Sequence, residues 1–149
     1  AGGGLALALA QSMDEKQKRS LEHLILISPW LDIELTNPST SFLQKQDPML
    51  SKEELLRYGK AWRGDTDAKD WRVSPLFGSL ADLPPTTLFI GTHELFLADA
   101  RSFWRKAKEE ATMLEYHEGK RMNHDYPLFP IPEARRAQKR IAAIIGGRP

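Results

Sequence analysis

Residues 84–94 read Pro-Pro-Thr-Thr-Leu-Phe-Ile-Gly-Thr-His-Glu, and this stretch decides the fold. Thr86–Gly91 is a short β-branched and aliphatic run without polar alternation, which is the pattern of a strand covered on both faces. Such strands belong to parallel sheets. The run is introduced by two prolines, which a central strand excludes, and it ends in the polar triplet Thr92-His93-Glu94. Beyond it, Phe96, Ala100, Phe103, Ala107 and Ala111 recur at i, i+4, i+7, i+11 and i+15, so they predict one apolar helix face with Asp99 in the first turn.

The same unit repeats on either side. Upstream, His23–Ser28 is a second aliphatic run closed by Pro29, and it too reads as a strand buried on both faces. Downstream, Met113–Glu118 alternates as a third strand. A Leu/Ala-rich helix is predicted over Gly4–Gln11, followed by a polar loop over Asp14–Ser20. A loop lies between Pro38 and Pro48. The next helix starts at Ser51, with Glu54 completing a capping box and Leu50 and Leu55 a hydrophobic staple, and runs to about Trp62 before Gly64. Gly119–Pro130 reads as a loop. Pro132 opens a last helix with Ala134, Ala137, Ile141, Ile144 and Ile145 inward and Gly146-Gly147 at its end. Helices and strands alternate throughout, which predicts an α/β fold: a parallel sheet with helices on both faces. Because sheets average about five to six strands, three predict a sheet that continues outside this sequence.

Composition narrows the function. The 149 residues suit one domain, and 21 Lys plus Arg against 20 Asp plus Glu give a net charge of +1, which disfavours a nucleic-acid binder. Cysteine is absent, so disulfides, thiol catalysis and thiolate metal sites are excluded. No run reaches the roughly 20 apolar residues of a membrane span, and the opening AGGGLALALA lacks the basic flank of a signal peptide. A soluble, cytoplasmic protein is expected.

In open α/β sheets ligands bind beyond the carboxyl ends of the strands. Three segments qualify: Ser28-Pro29-Trp30-Leu31-Asp32, Thr92-His93-Glu94, and Met122-Asn123-His124-Asp125. Glu94 and His124 are the acid and imidazole that two strand ends could bring into hydrogen-bond reach. On residues alone, His124 is either a general base or a loop histidine bonded to a carbonyl, and Glu94 either its orienting acid or a solvated carboxylate. Asp32 reads as a turn-stabilising side chain. His93, Glu94, His117 and His124 lack the helical i, i+4 spacing of a zinc motif, so no metal is expected. Arg135, Arg136, Lys139 and Arg140 read as a solvated helix face. Gly2-Gly3-Gly4 lacks the Lys-Ser/Thr of a phosphate loop.

Four segments together resemble the α/β-hydrolases of the hormone-sensitive-lipase type, which include bacterial esterases and acetyl-hydrolases. AGGGLALALA is similar to the residues after the serine of that family's G-D-S-A-G-G elbow, and LILISPWLD to its next strand and loop. VSPLFGSLADLPPTTLFIGTHELFLADA resembles the acid-bearing region, and MNHDYPLFPIPEARRA the histidine loop and final helix. The resemblance spans essentially residues 1–149, read as the C-terminal portion of one hydrolase domain that starts just after the nucleophile. It implies Glu94 as triad acid, His124 as triad base, Ala1 as the residue whose N–H helps form the oxyanion hole, and Gly2 as the close of the elbow. Trp30 is either an acyl-pocket wall or a packing residue, and Asp99 is an alternative acid to be checked.

The implied activity is carboxylic-ester hydrolysis of small substrates, without a cofactor. The serine and the oxyanion loop would lie upstream, so the chain alone is expected to be inactive. Its expected partner is an amino-terminal half, or a second copy, across the exposed edge of the His23–Ser28 strand. The alternative is a non-catalytic, truncated hydrolase-like domain that associates through that edge.

Overall fold

The computed structural model describes residues 1–147. Three strands, β1 (Leu24–Ile27), β2 (Thr86–Gly91) and β3 (Leu114–Gly119), form a parallel sheet in the order β1-β2-β3. Leu26 is in register with Leu88, and Leu88 with Tyr116. Right-handed crossovers are the rule for parallel neighbours, so each connection must carry a helix back over the sheet. Six helices are described: α1 (Gly2–Ser12), α2 (Glu15–Ser20), α3 (Thr40–Leu43), α4 (Lys52–Arg63), α5 (Leu97–Glu109) and α6 (Arg135–Ile145).

The two sheet faces carry separate cores. Leu26, Leu88 and Ile90 face Leu7 of α1 and Ala100, Phe103 and Ala107 of α5. Phe89, with Ile25 and Ile27, faces Ala134, Ala137 and Ile141 at the start and along the inner side of α6. The α/β architecture with helices on both faces is therefore as expected. Close contact of α1 with the chain after β1 depends on Gly4, where a Cβ would run into the carbonyl of Trp30.

Several local expectations are corrected. Asp14–Ser20 is not a loop: Asp14 caps α2 with a reciprocal box, its side chain accepting from the Gln17 N–H while Gln17 accepts from the Asp14 N–H. At α4, Ser51 accepts from the Glu54 N–H at 3.4 Å as the cap alone, and Leu55 is buried beside Leu50. Only β2 is buried at every position, since β1 and β3 are the edges of this sheet and their residues are mostly half-buried. Ala111 lies past the end of α5 in a left-handed turn, exposed, and so leaves the predicted stripe. Ile145, at the end of α6, is also exposed. Among the described residues, no helix is long and apolar enough to cross a membrane.

Candidate active site

Three strand ends deliver one polar cluster. Ser28 follows β1, Glu94 lies three residues beyond β2, and His124 lies on the loop after β3. The last two approach because Gly91 ends β2: a Cβ there would collide with the carbonyls of Met122 and Asn123, so the histidine loop can cross only over glycine. The His93 N–H then donates to the Met122 carbonyl at 2.9 Å and fastens the two loops.

Glu94 is fully buried, at 0% exposure. A carboxylate out of water needs donors, and this one has three. Its Oε1 accepts from the Gly91 N–H and the Ser28 hydroxyl, each at 2.7 Å. Its Oε2 faces His124 Nδ1 at 2.9 Å. That contact assigns the proton to Nδ1 in the neutral ring and leaves Nε2 as the acceptor. Nε2 lies 3.3 Å from Asp125 Oδ2, and the ring packs edge-on against Phe96 with centroids 5.4 Å apart. Burial pulls the His124 pKa down, but the hydrogen bond to Glu94 and the charges of Glu94 and Asp125 outweigh it, so the imidazole is raised above its ordinary value despite the opposing amino end of Ala1.

The other predicted residues take separate places. Ala1 precedes the first turn of α1 and no side chain caps that turn, so the first N–H groups of the helix have no side-chain partner. Trp30 stacks on Phe96 at 5.8 Å and donates from its indole N–H to the Asp32 carbonyl. It also lines a cavity of about 180 Å³ with Ala1, Gly2, Leu5, Trp62 and Val73. Asp32 is buried in a turn, where it accepts from the Glu34 and Thr36 N–H groups. Asp99 lies in the first turn of α5, away from the imidazole contacts, and burial, aided by the Asp32 charge and opposed by Lys52, pushes it up to about 7. His117 pairs with Glu115 on β3, and His93 reaches the site only through its backbone. Arg140 is bound to Glu115, whereas Arg135, Arg136 and Lys139 are exposed. Among the described residues no group of three or more acidic or histidine side chains is arranged to hold a metal ion.

Two features were not singled out from the sequence as part of the cluster: Ser28 and the backbone of Asp125. Both have left-handed conformations, with φ of 42° and 56°. Strained non-glycine residues at the ends of strands commonly mark functional sites, but φ is not written in residue type.

A buried acid and an imidazole paired beyond the ends of a parallel sheet, with helices on both sheet faces, form the arrangement that the α/β-hydrolase fold builds at its strand ends. The sequence profile of the alpha/beta hydrolase fold matches residues 1–128, and the chain belongs to that family. Its relatives are of the hormone-sensitive-lipase type. An esterase of Acinetobacter venetianus is 37% identical over 144 residues, which is 95% of this chain and 48% of that protein. The solved structure of an esterase/lipase from an uncultured bacterium superposes with a TM-score of 0.89 at 30% identity, over 99% of this chain and 50% of the other. An esterase from the bacterial hormone-sensitive lipase family gives 0.88 at 29% identity, over 95% and 48% of the two chains. The chain thus spans about half the length of the relatives it matches.

Proposed function

We propose that this chain supplies the acid and base of a serine carboxylic-ester hydrolase whose nucleophilic serine directly precedes Ala1 in a longer polypeptide. The observation that carries the reading is the 2.9 Å contact between His124 Nδ1 and the fully buried Glu94, beyond the carboxyl ends of a parallel sheet. With Nδ1–H held by Glu94, the lone pair of Nε2, whose neighbour is the Asp125 carboxylate, would take the hydroxyl proton as the serine oxygen attacks an ester carbonyl. The proton then passes to the departing alkoxide, and the acyl group stays on the serine until water, activated by the same nitrogen, releases the acid. N–H groups at the start of α1, with Ala1 and Gly2 foremost, would hold the oxyanion of the tetrahedral intermediate. The cavity beside Trp30, lined mainly by apolar side chains, would take the acyl chain of a small ester. The free edge of β1 would receive the strand that ends in the serine, so the preceding half of the polypeptide is the natural partner, and the chain by itself would be inactive.

The test compares the 149-residue chain with the same chain extended by its natural upstream sequence. A fluorophosphonate probe and p-nitrophenyl esters should label and be turned over by the extended form alone. Ester turnover by the isolated 149 residues, abolished by His124→Ala, would overturn the assignment of the nucleophile. An extended form that neither labels nor turns over ester would overturn the activity itself.

A further inference from the structure

Ser28 has no part in the reaction steps above, yet its side chain joins all three strand ends. It is 1% exposed, and its N–H continues the sheet ladder by donating to the Phe89 carbonyl at 2.9 Å. The hydroxyl is used twice. It donates to Glu94 Oε1 at 2.7 Å and accepts from the N–H of Asp125, the residue next to His124, at 3.0 Å. Oε1 is held from a second direction by the Gly91 N–H, so the carboxylate plane is fixed by two donors while Oε2 points at the imidazole.

We propose that Ser28 is a positioning residue for the Glu94–His124 pair: one hydroxyl fixes the rotation of the acid and, through the Asp125 N–H, the distance of the histidine loop from it. The backbone at Ser28, with φ of 42°, is one that glycine adopts without cost. What serine adds at this position is therefore the hydroxyl. Without it, Glu94 loses one of its donors, the half-buried Asp125 N–H loses its partner, and the acid and base can drift apart. A misplaced pair retains substrate binding, which uses other groups, and loses the proton-transfer step. The side-chain charges acting on His124 are those of Glu94 and Asp125, and Ser28 hydrogen-bonds the Glu94 carboxylate and the backbone N–H of Asp125.

The kinetic consequence rests on the ester-hydrolase reading, whereas the geometric one does not, and the experiment separates them. Ser28→Ala and Ser28→Gly are made in the full natural polypeptide. Both should lower kcat on the order of 10- to 100-fold, as loss of a partner that orients a functional side chain does, with KM within about twofold. The acid limb of kcat/KM should move to higher pH, because a pair whose anion has lost a donor takes up a proton more readily. The downfield proton resonance of His124 Nδ1–H should shift and broaden in both variants. Alanine keeps the backbone cost and glycine relieves it, so a loss common to both cannot come from strain.

Wild-type kcat and an unchanged resonance in Ser28→Gly would overturn the proposal and reduce Ser28 to a turn residue. If ester turnover is wild-type in the parent protein while both variants keep the parent acid limb, the proposal also fails and the esterase reading stands. A shifted His124 resonance in a parent protein that hydrolyses no ester supports the positioning role and removes the esterase reading instead.

Discussion

His117 and Glu115 approach each other more closely than His124 and Glu94 do, at 2.7 Å against 2.9 Å, yet the two pairs are built for different ends. Glu115 and His117 lie within β3, opposite Thr87 and Phe89 of β2, and the His117 ring stacks flat on Phe89. Their side chains are 36% and 35% exposed, against 0% and 14% for Glu94 and His124. Glu115 is also taken already: the Arg140 guanidinium grips both its oxygens, and that hydrogen bonding, with a smaller contribution from His117 and against some burial, drives its pKa to about 2. A carboxylate neutralised by arginine has little left with which to bias an imidazole. Glu94 is bound only by uncharged donors besides its histidine, so its charge acts on His124. Contact between an acid and a histidine is thus common; a dry acid with neutral partners, beyond the strand ends, is what makes the contact chemical.

The sharpest way to break this contrast is to delete each imidazole in the chain extended by its natural upstream sequence. His124→Ala should lower kcat/KM by at least about 10⁴-fold, while His117→Ala should change it less than about threefold, measured with the same p-nitrophenyl ester. The acids come next, with a smaller effect. Glu94→Gln should cost on the order of 10³- to 10⁴-fold by freeing the wrong tautomer, and Glu115→Gln should leave turnover near wild type. Equal losses from Glu94→Gln and Glu115→Gln would mean that burial and strand-end position do not distinguish the pairs.

A third acid sharpens the comparison from the side of burial. Asp99 is as buried as Glu94, at 1% exposure, but its Oδ2 has no hydrogen-bond partner, and burial pushes it up to about 7. Donors are what separate the two. Because its folded value lies above the unfolded one of 3.8, the native state holds this proton longer, and stability falls as pH rises from about 4 to about 7, then levels. Urea unfolding should show a loss of up to about 4 kcal/mol across that window, and Asp99→Asn should flatten it. His124 works in the opposite sense. Its raised value means that its pairing stabilises the fold fully below about pH 6.5 and that this contribution fades as pH climbs through the folded pKa.

The strands, the long helices and the acid–base pair were legible because each writes a pattern in residue type. Thr86–Gly91 is apolar without alternation, α5 repeats its small and aromatic residues on one face, and Glu94 and His124 stand just past the ends of two such strands. What escaped has no such pattern. Asp14–Ser20 carries a capping signal but no apolar stripe, and α2 buries no residue, so periodicity had nothing to report. Ser28 reads as the tail of a strand, yet its role comes from a backbone turn that aims the hydroxyl at Glu94. Ala111 fits the helical spacing and still falls outside α5, because the backbone turns left-handed there before β3.

The smallest expected effect tests whether the outer pair is independent of the inner one. Arg140 and Glu115 are 33% and 36% exposed, so water and salt screen their attraction, and Arg140→Gln should lower stability only slightly at pH 7. Glu115 is depressed in the folded state, so that contribution is present above about pH 4.5 and disappears as pH falls toward 2; wild type and variant should converge there. Added salt should narrow the gap at pH 7 for the same reason. Turnover should not change, because the hydroxyl of Thr87 links Glu115 to His23, before β1, and not to Glu94. A tenfold fall in kcat for Arg140→Gln, with stability barely altered, would mean that the two pairs communicate through β2 and β3, and the separation drawn between them would have to be abandoned.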